Sequence, residues 1–488
     1  MGTSDPQSFD CESEVIDQFM NTNRRYMTQP DFMSWRMEEN PILRSTIVAV
    51  AVLDRSPDQT RFVDMMRRAV DLVPIFRRKV IADPMGLVPP RWADDRDFDL
   101  SWHLRRFTVS EPRSWDVVLD FARTIEMAAF DKNRPLWEFT VLDGLDNGRS
   151  ALVMKVHHSL TDGVGGMQIT REIVDFTREG TPRQGQTNLL TTPENGDSSE
   201  PANRLFWYRD TVGDLARRAP AALVRNGSRL ARSPRSVYRD AVAVGGSAMR
   251  LARPVVSTRS PVMTNRSTRR HCAVLDVPVA ALAEAATAGG CSINDAFLTA
   301  VLVGMADYHQ LHGAEISELR MTLPISLRTD SDPVGGNRIT LARFALPTEA
   351  GGPAELMHRV HTTVETWRNE PAVPLSPTIA GALNLLPASM LGSMLEHVDF
   401  VASDVVGSDV PLFVAGSEIM RYYAFSPTLG SAFNVTLMSY TTRCCVGINA
   451  DADAVPDLAA LTASLAEGFR AVLGLCAETT DKTVVVAS

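Results

Sequence analysis

Residues 150–163 read Ser150-Ala151-Leu152-Val153-Met154-Lys155-Val156-His157-His158-Ser159-Leu160-Thr161-Asp162-Gly163. The mostly apolar part of this run has the length of a strand, and residues 136–142 form a second such run. Gly144-Leu145-Asp146-Asn147-Gly148 separates the two with turn-forming residues. The simplest geometry is a hairpin that delivers two adjacent histidines at a strand end. After Asp162, Gly163-Val164-Gly165-Gly166 opens helical spacing to about Phe176, which puts Asp162 where an N-cap satisfies free backbone N–H groups. The motif therefore joins a strand end to a helix start, as an α/β fold requires.

The same alternation extends outward. Residues 47–53 are an apolar run of strand length, and Phe62, Met65, Met66, Ala69, Val70 and Val73 fall at helical spacing before Pro74. Residues 117–130 repeat the helical pattern. Beyond the motif, 178–203 is rich in Thr, Pro, Gly, Asn, Ser and acid, which predicts an exposed linker. The alternation then restarts, with a strand over 271–277, helices over 278–288 and 293–308, and strands over 319–325 and 340–346. A chain of 488 residues that is 44% hydrophobic exceeds what one core organises. The reading is two α/β lobes, 1–180 and 266–488, joined by a linker and Arg-rich segment over 181–265.

Composition narrows the function classes. A formal charge of -9 argues against nucleic acid as a partner. Six cysteines, at 11, 272, 291, 444, 445 and 476, include no C-x-x-C, and the adjacent pair points to opposite faces of a strand, so all read as reduced structural thiols. Met1 to Asp17 is acidic and polar, and no 18-residue apolar run occurs, so the expectation is a cytoplasmic chain that does not cross a membrane. Residues 204–253 hold eleven arginines against three aspartates, a local charge of +8, interleaved with Phe206, Trp207, Leu215 and Leu230. That mixture suits peripheral contact with an anionic inner-membrane face or lipid droplet; ordinary solvated helix faces are the alternative.

Histidine titrates near neutrality, so at a strand end it can take the proton of a hydroxyl that must become a nucleophile. Two other readings stay open for His157 and His158: metal ligation with Asp162, or a packed structural pair. Adjacent histidines on a strand point apart, which works against sharing one ion. Neither H-E-x-x-H nor a P-loop nor a G-x-S-x-G elbow is present.

Arg134-Pro135-Leu136-Trp137-Glu138, then Gly144-Leu145, then Ala151 to Gly163, resembles the bacterial wax ester synthase/diacylglycerol acyltransferase family. Asp31-Phe32-Met33, Trp92-Ala93-Asp94-Asp95, Phe98 to His103, Asn294-Asp295, Pro324 to Arg328 and Gly336-Asn337-Arg338 extend the likeness over nearly the whole chain. The resemblance implies two lobes like chloramphenicol acetyltransferase with a tunnel at their interface. It implies an O-acyltransferase in which His158 is the general base, His157 supports it, Asp162 orients the loop and Gly163 permits close backbone approach. The partners it implies are acyl-CoA as co-substrate and a diacylglycerol or fatty alcohol as acceptor, with no metal and no cofactor. Pro135, Leu136 and Trp137 read first as structural support and Asn294 and Asp295 as a helix cap, with substrate contact the second reading for all five.

The expected reaction is triacylglycerol synthesis through a ternary complex without an acyl-enzyme, with wax ester synthesis as the near alternative. Condensation domains of peptide synthetases share the double histidine, but the Pro-Leu-Trp stretch and the lack of adjoining carrier domains count against that class. One departure stands out: the family's Ser-Asn-Val-Pro-Gly is here Ser403-Asp404-Val405-Val406-Gly407. It keeps open a lipid-binding scaffold of the same fold with impaired turnover.

Overall fold

The computed structural model describes residues 26–83, 88–181, 255, 257–326, 339–371, 373, 376–387, 390, 392, 395–478 and 480–487. Its first half contributes strands β1 (Thr46–Leu53), β2 (Arg78–Ile81), β3 (Arg91–Asp94), β4 (Leu104–Thr108), β5 (Trp137–Asp143) and β6 (Ser150–His157). The second contributes β7 (Arg270–Pro278), β8 (Glu318–Ser326), β9 (Ile339–Pro347), β10 (Phe400–Ser408), β11 (Phe413–Val414), β12 (Ser417–Phe425), β13 (Phe433–Tyr440), β14 (Arg443–Asp451) and β15 (Val485–Ala487).

The predicted hairpin is β5 and β6, antiparallel from Trp137↔Val156 to Asp143↔Ser150. Asn147, with φ 60, and Gly148, with φ 72, make its turn, a left-handed conformation that Asn and Gly tolerate best. β6 runs antiparallel to β1, with Thr46 opposite His157, and β1 pairs in turn with β12. The six-stranded sheet has the order β11-β12-β1-β6-β5-β4, and the seven-stranded sheet β15-β7-β14-β13-β10-β8-β9.

Helices cover these sheets, in the first half and over 279–311 near where the apolar spacing predicted them, while Pro353–Arg368 and Leu458–Leu473 were not read from sequence. Gln59–Leu72 is capped by the Asp58 carboxylate, which accepts from the Arg61 N–H, and it buries Phe62, Met65, Met66, Ala69 and Val70. Each such fully buried side chain contributes about 1.5–3 kcal/mol. Trp115–Met127 covers the same lobe, while Val279–Ala288, Ile293–Leu311, Pro353–Arg368 and Leu458–Leu473 belong to the other. Among the described residues no single helix is long and apolar enough to cross a membrane.

Among the described residues the apolar side chains form two cores, and the second sheet contributes to both. Cys444 lies in the second and Cys445 in the first, so β14 passes between both and its adjacent thiols do face opposite ways. Cys272, Cys291, Cys444, Cys445 and Cys476 are all free.

The chain does not divide between the lobes at a single point. β11 and β12 come from the second half yet complete the first sheet, and Ile419, Tyr422 and Tyr423 are buried in the first core from both faces of β12. Residues 178–181, read as linker, are tied down. Arg178 donates to Gly416 O at 2.9 Å and pairs with Asp54 at 2.9 Å, and the Thr181 N–H donates to Asp175 at 3.1 Å. Residues 257–265 likewise pack on the second lobe, where the Arg259 and Ser260 N–H groups donate to the buried Asp399 carboxylate and Met263 is fully buried. The rest of the polar linker and the arginine-rich 204–253, with Cys11, Leu327, Arg328, Gly336, Asn337 and Arg338, lie outside the described residues.

Candidate active site

The end of β6 is fixed by its main chain before any side chain acts. The His157 N–H donates to Leu136 O at 3.0 Å and the His158 N–H to Ser45 O at 2.8 Å. Strand alternation then sends the two imidazoles apart. His157 is buried, its ring edge-on to Trp35 and Phe130. Its Nδ1 accepts from the Ser159 N–H at 3.1 Å and lies 2.7 Å from Ser159 Oγ. Its Nε2 faces the buried Glu38 carboxylate at 3.5 Å. Glu38 also accepts from the Ser45 N–H at 3.1 Å and lies 3.5 Å from Arg44. Burial by itself would raise the Glu38 pKa, but His157, Ser45 and Arg44 together hold it below the ordinary carboxylate value. His157 is thus an anchor that joins the strand end to the residues preceding β1.

His158 faces open space. It lines a cavity of about 1590 Å³ and a second of about 1000 Å³, sharing that position with Ile339, Leu341 and Leu429. The larger reaches under the first sheet to Phe62, Met66, Phe139, Ile173 and Val414. The smaller lies between Pro30, Met33 and Met37 on one side and Ile379, Ala380 and Leu383 on the other, with Arg343 in its wall. Burial pulls the His158 pKa below its ordinary value, while the charge of Asp162 works in the opposite direction. The neutral imidazole, which is the proton-accepting form, therefore prevails at neutral pH.

Asp162 caps the helix Gly163–Ile173, its carboxylate accepting from the Gly165 N–H at 2.7 Å. Gly163 shows what its missing side chain allows. A Cβ there would lie 2.8 Å from Val405 Cγ2, so the second lobe's β10 packs directly on the start of this helix.

The Pro135-Leu136-Trp137 stretch is placed in the first core, where Trp137 is fully buried and donates from Nε1 to Phe76 O at 2.8 Å. His103, from the upstream part of the likeness, stacks on Trp137 at 4.4 Å between centroids and donates from Nδ1 to Trp137 O at 2.7 Å. These two stretches support each other and the hairpin. Asn294 and Asp295 open the helix Ile293–Leu311, where Asp295 and Ser292 form a reciprocal capping box. Pro135, Leu136, Trp137, Asn294 and Asp295 are not among the residues lining these two cavities, and the contacts they make are those of support and capping.

Several wall residues were not predicted from sequence. Arg343 and Ile379 carry no motif, Met33 belongs to the Asp31–Met33 likeness but was given no role, and Glu38, behind the wall, sits in an acidic pair like many on a solvated helix end. The departure at 403–407 does bear on the site, because Ser403, Asp404 and Val405 line the larger cavity. Asp404 is exposed to solvent at the cavity edge; its apolar surroundings raise the carboxyl pKa, with the Arg368 charge opposing.

Comparison with known proteins bears on this arrangement. The family description "Wax ester synthase/diacylglycerol acyltransferase catalytic domain" matches residues 27–297, and "WS/DGAT C-terminal domain" matches 335–472. A Mycobacterium tuberculosis (strain H37Rv) protein provisionally named a diacylglycerol O-acyltransferase is 33% identical over 452 residues, 91% of each chain. A second protein of that strain, named in the same way, is 27% identical over 83% of this chain and 90% of its own length. The solved wax ester synthase/diacylglycerol acyltransferase of Marinobacter aquaeolei VT8 has the same fold, with TM-score 0.59 at 19% identity over 92% of this chain and 98% of that one. The first condensation domain of the calcium-dependent antibiotic synthetase shares the fold at TM-score 0.58 and 14% identity, over 96% of this chain and all of that one (100%).

Proposed function

Since this chain belongs to the wax ester synthase/diacylglycerol acyltransferase family of acyltransferases, we propose that it moves an acyl group from acyl-CoA to the hydroxyl of a diacylglycerol, with His158 as general base. The observation that carries this is the position of His158 in the wall common to two largely apolar cavities whose other walls are built from different residues. Two apolar substrates, one in each cavity, would bring their reacting ends together at one imidazole. The larger cavity is walled by apolar side chains from Phe62 and Met66 to Ile173 and Val414, which suits an acyl chain.

In the proposed step the neutral His158 imidazole takes the acceptor's hydroxyl proton as its oxygen attacks the thioester carbonyl carbon. The tetrahedral intermediate collapses with cleavage of the C–S bond, and the imidazolium returns its proton to the departing CoA thiolate. Both substrates are present at once, so no acyl-enzyme forms and no metal or cofactor is called on. His157 holds the strand end, Asp162 holds the helix start, and water is excluded by the apolar walls. The same geometry serves a fatty alcohol, which makes wax ester synthesis the second reading, favoured by the apolar lining of both cavities.

The test uses purified full-length protein with radiolabelled acyl-CoA against diacylglycerol, fatty alcohols and amines, beside His158→Ala. The expected result is ester formation that falls by about 10²–10⁴-fold in the variant. Equal turnover in the variant would remove His158 as base, and ligand binding without transfer by the parent would make the chain a scaffold. If amines outpace every alcohol, the condensation-type reading replaces this one.

A further inference from the structure

Outside the acyl-transfer cavities, the second lobe brings together the ends of two helices bearing soft and borderline metal donors. Gly290, with φ 63, turns the chain after Val279–Ala288 and delivers Cys291 next to the capping box that opens Ile293–Leu311. Opposite it, the helix Pro353–Arg368 presents His358 and His361, one turn apart on one face. Ligand atoms of Cys291, Asp295 and His361 all lie within 4.8 Å of one another. His361 Nδ1 and Asp295 Oδ2 are 2.8 Å apart. Cys291 Sγ and His358 Nδ1 are 3.7 Å apart.

We propose that Cys291, Asp295 and His361, with His358 as fourth donor, form a site for Zn²⁺ or a similar borderline divalent ion that bolts these two helices together. Tetrahedral zinc with ordinary Zn–S, Zn–N and Zn–O lengths sets its ligand atoms about 3.4–3.6 Å apart. The thiol–imidazole pair already stands near that edge, and the Asp295–His361 pair needs to open by about half an ångström. In the metal-free protein a proton holds each pair together: the His361 Nδ1–H donates to Asp295, and the Cys291 thiol faces His358. The ion takes the place of both. The His361 proton passes to Nε2 by tautomer exchange, and the thiol proton is released, one per ion bound.

A bland account makes the Asp295–His361 contact an extension of the helix cap, since Ser292 donates to the same oxygen from its N–H at 2.9 Å and its hydroxyl at 2.7 Å. That account leaves the approach of the Cys291 thiol to the Asp295–His361 pair without a purpose. Asp295 is buried and Cys291 and His361 are partly exposed, so an ion can enter and still be shielded. None of the four residues lines either cavity, so the site is structural and separate from acyl transfer.

The test is titration of the untagged, reduced full chain with Co²⁺ as probe, followed through the thiolate-to-cobalt charge-transfer band, with Zn²⁺ added to displace it. One equivalent is expected to bind, with Cys291→Ser abolishing the band, His361→Ala weakening Co²⁺ affinity at least about tenfold, and Cys11→Ser leaving both unchanged. Zn²⁺ should raise the melting temperature of the parent and not of Cys291→Ser. Absence of the band in the parent, or its survival in Cys291→Ser, overturns the proposal; so does His361→Ala binding like the parent.

Discussion

Substituting Gly163 by alanine tests how the two lobes meet at the base. Gly163 already has helical geometry, so the backbone accepts alanine, and helix propensity by itself favours the change by up to about 1 kcal/mol. Packing opposes it. The new Cβ would stand 2.8 Å from Val405 Cγ2 and 3.5 Å from Cγ1, where ordinary contacts begin near 3.4 Å. Val405 is β-branched, lies on β10, and is held in register against Met438 of β13, so it cannot swing away cheaply. Overpacking of this kind costs about 1–3 kcal/mol, which exceeds the propensity gain. The helix start, and with it the His158–Asp162 loop, should be pushed by some tenths of an ångström.

The expected outcome is a net loss of about 1 kcal/mol or more and a fall of about tenfold in kcat/KM. Val405→Ala alone removes buried methyls and costs about 1–2 kcal/mol. In the Gly163→Ala background the same change relieves the clash, so the cycle should show a favourable coupling of about 1–2 kcal/mol. Denaturation of the four proteins, followed by tryptophan fluorescence with parallel kcat/KM measurements, provides the readout. The reasoning fails if Gly163→Ala matches the parent in stability and rate, or if Val405→Ala costs the same in both backgrounds.

Asp162 has separable roles: Asp162→Asn keeps a capping acceptor but removes the charge that raises the His158 pKa, so the acid limb of kcat/KM should move to lower pH while stability is nearly kept. Asp162→Ala should show the same shift plus a loss of about 1 kcal/mol in denaturant. Glu126 is buried against Asn449, whose Nδ2 donates to it at 2.6 Å, and burial lifts its pKa from 4.5 to about 7. The folded state then binds the proton more tightly than the unfolded one, so this residue's contribution to stability is full below 4.5 and lost as pH rises through about 7. Glu126→Gln should remove that slope, gaining on the order of 3 kcal/mol at most at high pH and nothing at low pH, read as unfolding midpoint against pH.

What could be read from sequence was what depends on near neighbours. The hairpin ending at His157, the cap at Asp162 and the opposed faces of Cys444 and Cys445 each follow from spacing within about ten residues, and each is found in the structure. The missing pieces involve partners far along the chain. The run 417–425, which mixes Ser417, Glu418 and Arg421 with apolar residues, is not read as a strand from local pattern, and it joins the first sheet. The anchoring of His157 by Glu38 and the seating of Val405 on Gly163 leave no periodic trace. Arg178, which composition placed in a linker, is fixed by Asp54 and Gly416.

The segment 400–425 explains why these long-range features occur together. Val401, Ser403 and Val405 on β10 supply one wall of the larger cavity, and Val414, Tyr422 and Ala424 on β11 and β12 supply another. The same stretch therefore faces His158 from the second sheet and then crosses to become a neighbour of β1, which itself pairs with β6. Opening the lobes like a hinge would have to pull Tyr422 and Tyr423 of β12 away from Met438, Tyr440 and Cys445 of the second sheet, with which they share the first core, and break the hydrogen bond from the Tyr423 hydroxyl to Asp276. That cost favours entry of long chains through the ends of the two cavities over separation of the lobes. It also makes the Gly163–Val405 contact a fixed part of the wall, so a change on β10 can reach the base without touching it.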